Sequence, residues 1–134
     1  NYIKAKFNIG KYQTQSDVFI YCEDDPVTQE NLTNYPLISN PLPFTMNHEL
    51  PKGAFVKDNM MTVNAAESFK MSVFDFALKG KHNQYNTMAA SLAASSVGIR
   101  KEKIREAVMT FEAKLAVPIK LPTKLLAVTE PVKL

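Results

Sequence analysis

The chain has 134 residues, 46% of them hydrophobic and 22% charged, enough for one domain with one core and too apolar for a disordered segment. The net charge of +3 resides in residues 113–134, where Lys114, Lys120, Lys124 and Lys133 outnumber Glu130, and the neutral remainder has no basic patch with interleaved aromatics, so no nucleic-acid partner is expected. A single cysteine, Cys22, forbids an intramolecular disulfide, and no apolar run approaches the ~18–20 residues of a membrane span. The opening residues, NYIKAKFNIGKY, lack a signal-peptide core, and with the lone cysteine they lead to the expectation of a cytoplasmic location.

In chain order, Asn1–Tyr12 reads as a helix with Ile3, Ala5 and Phe7 on its apolar face. Ser16–Cys22 is a short run rich in Val, Phe, Ile and Tyr, and it reads as a buried parallel strand over Asp17–Cys22. The acids Glu23, Asp24 and Asp25 end that strand, where open α/β sheets place their ligand crevice. They can touch a ribose or a metal-bound water, but the favoured reading is a helix N-cap with Pro26 at the first helical position and a helix over Val27–Tyr35. Pro41 and Pro43 make the next segment irregular, with Phe44–Met46 expected as an edge strand and His48 in a solvated loop. Ala54–Val63 predicts a hairpin turning at Asp58-Asn59, and Phe69–Phe76 alternates with Phe69, Met71 and Val73 on one face.

Leu78–Val97, LKGKHNQYNTMAASLAASSV, organises the rest. Gly80 permits a tight turn, Asn83 or Asn86 can cap a helix from Asn83 to Val97, and Gly98 fits the left-handed position after it. Ala89, Ala90, Ala93 and Ala94 keep the helix thin for close packing on a sheet, with Met88 and Leu92 as its grip. Read alone, this is a capped core helix whose N-terminus carries free N–H donors beside His82 and the two amides. A second amphipathic helix follows over Arg100–Phe111, with Ile104, Ala107, Val108 and Phe111 as its apolar stripe.

Gly80, His82, Asn83, Asn86, Ala89, Ala90, Ala93 and Ala94 together resemble the second signature of the Mur ligases, G-x-H-N-x-x-N-x-x-A-A-x-x-A-A. The flanking DFALKGKHNQYN and KEKIREAVMTFE resemble the Bacteroidetes branch that adds D-glutamate to UDP-N-acetylmuramoyl-L-alanine. The resemblance implies an α/β fold: a mainly parallel sheet with flanking helices plus a small antiparallel sheet, corresponding to the second half of the family's ATP-binding central domain. It implies that Asn83 and Asn86 contact adenine and that His82 shapes the pocket. It also matches Tyr2, Ala5, Lys6 and Ile9 to a family segment whose lysine is carbamylated, so that Lys6 would help hold magnesium. Asn8 and Cys22 stand where the family commonly has arginine and asparagine.

The resemblance covers residues 1–112 and leaves 113–134 as an unmatched tail, with alternating Val117, Ile119 and Leu121 and an apolar run over 125–128. No Gly-x-x-x-x-Gly-Lys-[Ser/Thr] motif is present, and Gly10-Lys11 is followed by Tyr12. The expectation is a piece of an ATP- and magnesium-dependent ligase working through an acyl phosphate, inactive on its own, with the UDP-muramoyl substrate bound only by the longer parent. The alternative is a non-catalytic module that self-associates through an exposed sheet edge or through the tail strands.

Overall fold

The computed structural model describes residues 15–34, 39–110 and 126–128. The expected helix over Asn1–Tyr12, Lys6, Phe111 and most of the 113–134 tail lie outside them.

Strand β1 (Val18–Cys22) leads through helix α1 (Pro26–Asn34) to β2 (Asn40–Thr45), followed by β3 (Gly53–Lys57), β4 (Met60–Asn64) and β5 (Ser68–Ser72). A 3₁₀ turn over Val73–Asp75 precedes helices α2 (Lys81–Ser96) and α3 (Lys101–Thr110), and β6 (Leu126–Val128) comes last. All six strands form one sheet in the order β5-β4-β3-β2-β1-β6. The β1–β2, β1–β6 and β2–β3 pairs are parallel, and β3–β4 and β4–β5 are antiparallel. The chain is thus α/β with a mainly parallel sheet, and the expected antiparallel unit forms one flank of that same sheet.

The core lies between one sheet face and helices α2 and α3. Ile20, Cys22, Leu42, Phe44, Ala54, Val56, Met61, Val63, Phe69 and Met71 supply the sheet side, alternating along each strand as a pleat requires. Met88 and Leu92 on α2 are fully buried among them, and Ala89 and Ala93 bring the helix close. From α3 Ile104 is buried and Val108 packs half-buried against the same core, while Ala107 is exposed.

Two elements depart from expectation. Strand β2 is interior, lying between β1 and β3, although Pro41 and Pro43 had indicated an edge. The Asn40 N–H donates to the Asp17 carbonyl and the Phe44 carbonyl accepts from Glu23, both at 2.9 Å, so the even positions bond toward β1. The odd positions therefore turn their nitrogens the other way, toward β3, and β3 pairs with β2 only at Phe44 and Thr45, beyond both prolines. The rings occupy sites where the sheet asks for no donor. The second departure is the start of α2. It begins at Lys81, not Asn83, with Gly80 as its N-cap at φ 98° and no side-chain cap bond. Glycine tolerates that backbone, which lets the chain enter the helix before either asparagine is reached.

The other boundaries follow their local chemistry. Asp25 caps α1: its carboxylate accepts from the Val27 N–H at 3.3 Å and the Thr28 hydroxyl at 2.6 Å, with Pro26 at the first helical position. Asp58 and Asn59 turn the β3–β4 hairpin with φ 53° and 61°, the signature of a type I′ turn. At the end of α2, the Gly98 N–H donates to Ser95 and the Ile99 N–H to Ala94, both at 3.1 Å, a Schellman closure with Gly98 at φ 88°.

Candidate functional site

Two constellations meet at the start of α2. The first is a cleft of about 340 Å³ between α2 and α3, lined by Leu78, Asn83, Asn86, Thr87, Ala90, Ala107 and Val108. The Ala77 N–H donates to the Val108 carbonyl at 3.0 Å and ties the loop before α2 to α3, which closes one end. The walls are mostly apolar, and the polar groups come from one face of α2. Asn83 Nδ2 donates back to the Lys79 carbonyl at 2.7 Å, which leaves its Oδ1 as a free acceptor. Among the described residues the Asn86 amide has no protein partner and keeps both its donor and its acceptor. The Thr87 hydroxyl donates to the Asn83 carbonyl at 2.6 Å, which presents its methyl group as wall. The structure therefore brings Asn83 and Asn86 together. His82 is exposed on the first turn and is not part of this lining.

The second constellation surrounds Asp24 at the C-terminal end of β1. Its carboxylate accepts from the Thr45 hydroxyl, the Met46 N–H at 2.7 Å, Asn47 Nδ2 at 2.9 Å and the Tyr85 hydroxyl at 2.8 Å. One side chain thus joins β1, the end of β2 and the first turns of α2. The Tyr85 ring packs against Phe44 with centroids 6.2 Å apart. Burial, and then the bond to Asp24, push the Tyr85 phenol well above its ordinary range, so the hydroxyl remains a donor at neutral pH. Burial raises the neighbouring Cys22 thiol to about 11, against the pull of the Asp24 and Asp25 backbone N–H groups. His48 Nε2 lies 2.9 Å from Glu23 Oε1, so the loop histidine has an acidic neighbour that its sequence position does not announce.

The acidic run thus divides its work: Asp25 caps α1, and Asp24, at the C-terminal end of β1, is engaged with protein donors. Sequence reasoning missed Tyr85 and Thr45, because neither carries a motif and each becomes visible only when β2 and α2 meet over Asp24. Among the described residues, no group of three or more His, Cys, Asp or Glu side chains is placed to hold a metal ion. Among them too, no helix is long and apolar enough to cross a membrane.

No protein-family model matches the chain. Curated proteins do. The chain is 39% identical over 114 residues to the UDP-N-acetylmuramoylalanine–D-glutamate ligase of Christiangramia forsetii, and 38% identical over 112 residues to that of Bacteroides thetaiotaomicron. Each match takes in 84% of this chain and 25% of the relative. The ligase of Porphyromonas gingivalis is 35% identical over 114 residues, with 83% of this chain and 25% of the relative covered. The chain therefore spans about a quarter of the length of the curated relatives it matches. This similarity, carried on an α/β sheet with the amide pair at the head of α2, makes the chain a partial member of the Mur ligase family.

Proposed function

We propose that the chain is the adenine-binding part of the ATP-binding central domain of an ADP-forming ligase that joins D-glutamate to UDP-N-acetylmuramoyl-L-alanine. The observation that carries this reading is the cleft: two amides on one helical face open into an apolar slot. Its volume suits a flat heterocycle, since small-molecule sites begin at about 300 Å³. Adenine presents an amino donor beside a ring-nitrogen acceptor, and an asparagine amide complements that pair. The free Oδ1 of Asn83 suits the amino group, and the unpartnered Asn86 amide can serve both edges. Leu78, Ala90 and Val108 would flank the ring. Bound ATP supplies the phosphoryl group that activates a carboxylate toward an amine. In the same reading His82 would approach the base from the exposed first turn, and Lys6, as its carbamate, would help hold magnesium.

The test is a titration of the isotope-labelled chain with AMP and with GMP, followed by NMR. Weak binding of AMP is expected, with shifts confined to residues 78–90 and 107–108. The change Asn86→Ala should lower AMP affinity about five- to hundredfold, because losing the amide's bonds to a base costs ~1–3 kcal/mol. Equal affinity for GMP, or an unchanged Asn86→Ala titration, would falsify the assignment.

A further inference from the structure

The first turns of α2 are weakly held from within. Gly80 provides no side-chain cap, Lys81 and His82 are exposed, and the first fully buried residue of the helix is Met88. The bond from Asn83 Nδ2 to Lys79 is local to the turn, so it moves with the turn and fixes nothing to the sheet. Tyr85 is the exception. At ~100° per residue it falls on the stripe of Met88 and Leu92, which faces the sheet. Asn83, Asn86, Thr87 and Ala90 fall on the other side, lining the cleft. A link at Tyr85 therefore governs how those amides are turned.

We propose that Asp24, acting through the Tyr85 hydroxyl, is the positioning residue that sets the rotation of the first turns of α2 and so aims Asn83 and Asn86 into the cleft. The proposal rests on the adenine reading above. Asp24 is suited to the task because it does not move with the helix. Its carboxylate is fixed to the end of β2 by the Met46 N–H at 2.7 Å, by Asn47 Nδ2 at 2.9 Å and by the Thr45 hydroxyl. Thr45 is fully buried, and Phe44 packs on the Tyr85 ring, so the receiving end belongs to the sheet. A phenylalanine at position 85 would supply the same ring packing. The hydroxyl adds direction, since a hydrogen bond weakens steeply as its angle departs from linear. The raised phenol keeps that donor protonated throughout the physiological range.

The decisive variant is Tyr85→Phe in the full chain, which retains the ring and removes only the link. In the free protein, the side-chain amide resonances of Asn83 and Asn86 should shift, and hydrogen exchange of the backbone amides of residues 83–87 should quicken about tenfold. AMP affinity should fall five- to twentyfold, with the melting temperature little changed. Val63→Ala, a truncation in the buried sheet, serves as the control: it should lower the melting temperature and leave AMP affinity within twofold. If Tyr85→Phe leaves the Asn83 and Asn86 resonances and the exchange unchanged, the proposal is overturned, whether AMP binds or not. It is overturned equally if Val63→Ala loses as much affinity, because the effect is then one of general stability. If the wild-type chain binds no AMP yet the resonances and exchange respond to Tyr85→Phe, the adenine reading fails alone and the anchor stands.

Discussion

Gly53 and Asp24 show how single residues hold neighbouring strands of this sheet together. A Cβ on Gly53 would lie 2.1 Å from the Pro43 carbonyl oxygen, and the backbone there is at φ 117°. Both facts exclude a side chain, and the obstacle is backbone that cannot swing aside. Gly53→Ala should therefore cost more than the ~1 kcal/mol of ordinary left-handed strain and separate β3 from β2; a chemical melt within ~0.5 kcal/mol of wild type would refute this. Asp24→Ala removes the acceptor shared by Thr45, Met46, Asn47 and Tyr85. Leaving partly buried donors without a partner should lower stability by ~2–3 kcal/mol, measured by denaturant unfolding. The sequence carried half of this. The acidic run after an apolar strand pointed to the crevice and to a cap, and Asp25 fulfils the cap. What Asp24 does instead depends on the β2 hydroxyl at Thr45 and on a tyrosine from α2, and neither is near it in sequence.

At the scale of elements, the legible features were those whose determinants are local. The hairpin at Asp58-Asn59 needs two residues with positive φ, and both residue types accept it. The end of α2 at Gly98 is similarly local, and Gly98→Ala should destabilise the chain by ~1 kcal/mol through φ 88° alone, since open space surrounds the missing Cβ. A thermal melt unaffected by that change would refute the Schellman role. The misplaced features were those decided by neighbours. Pro41 and Pro43 disqualify a strand from the interior only when a partner needs an N–H donor at their positions, and the register of β3 removes that need. The amides of α2 looked like caps because the residues before them had no assigned conformation. Gly80 started the helix earlier and left Asn83 and Asn86 for the cleft.

For the whole molecule, the titratable groups of the packed sheet end set an alkaline limit. Burial raises Cys22 from 9.0 to about 11, and raises Tyr21 and Tyr85 above their ordinary 10.0. Each group keeps its proton in the folded chain over a range where the unfolded chain has lost it. The stabilisation is complete below about pH 9 and is lost as pH climbs through the folded values. Melting temperature should therefore fall steeply above pH 9, and Cys22→Ala should flatten the segment between 9 and 11; an identical pH profile for the variant would refute this. The 134 residues by themselves should release no ADP above a blank when given UDP-N-acetylmuramoyl-L-alanine, D-glutamate, ATP and magnesium, because the sequence carries no P-loop to cradle the phosphates. The expected pairing of tail strands between two copies finds a counterpart within one chain, where β6 joins β1 with Val18 opposite Leu126. That register ties the first described strand to the last, so during synthesis on the ribosome the outer edge of β1 lacks β6 until residues 126–128 have emerged. Such an edge is open to neighbouring nascent chains throughout the interval. Slowing translation across residues 110–126 should then lower the soluble yield, while a chaperone that shields β1 should restore it.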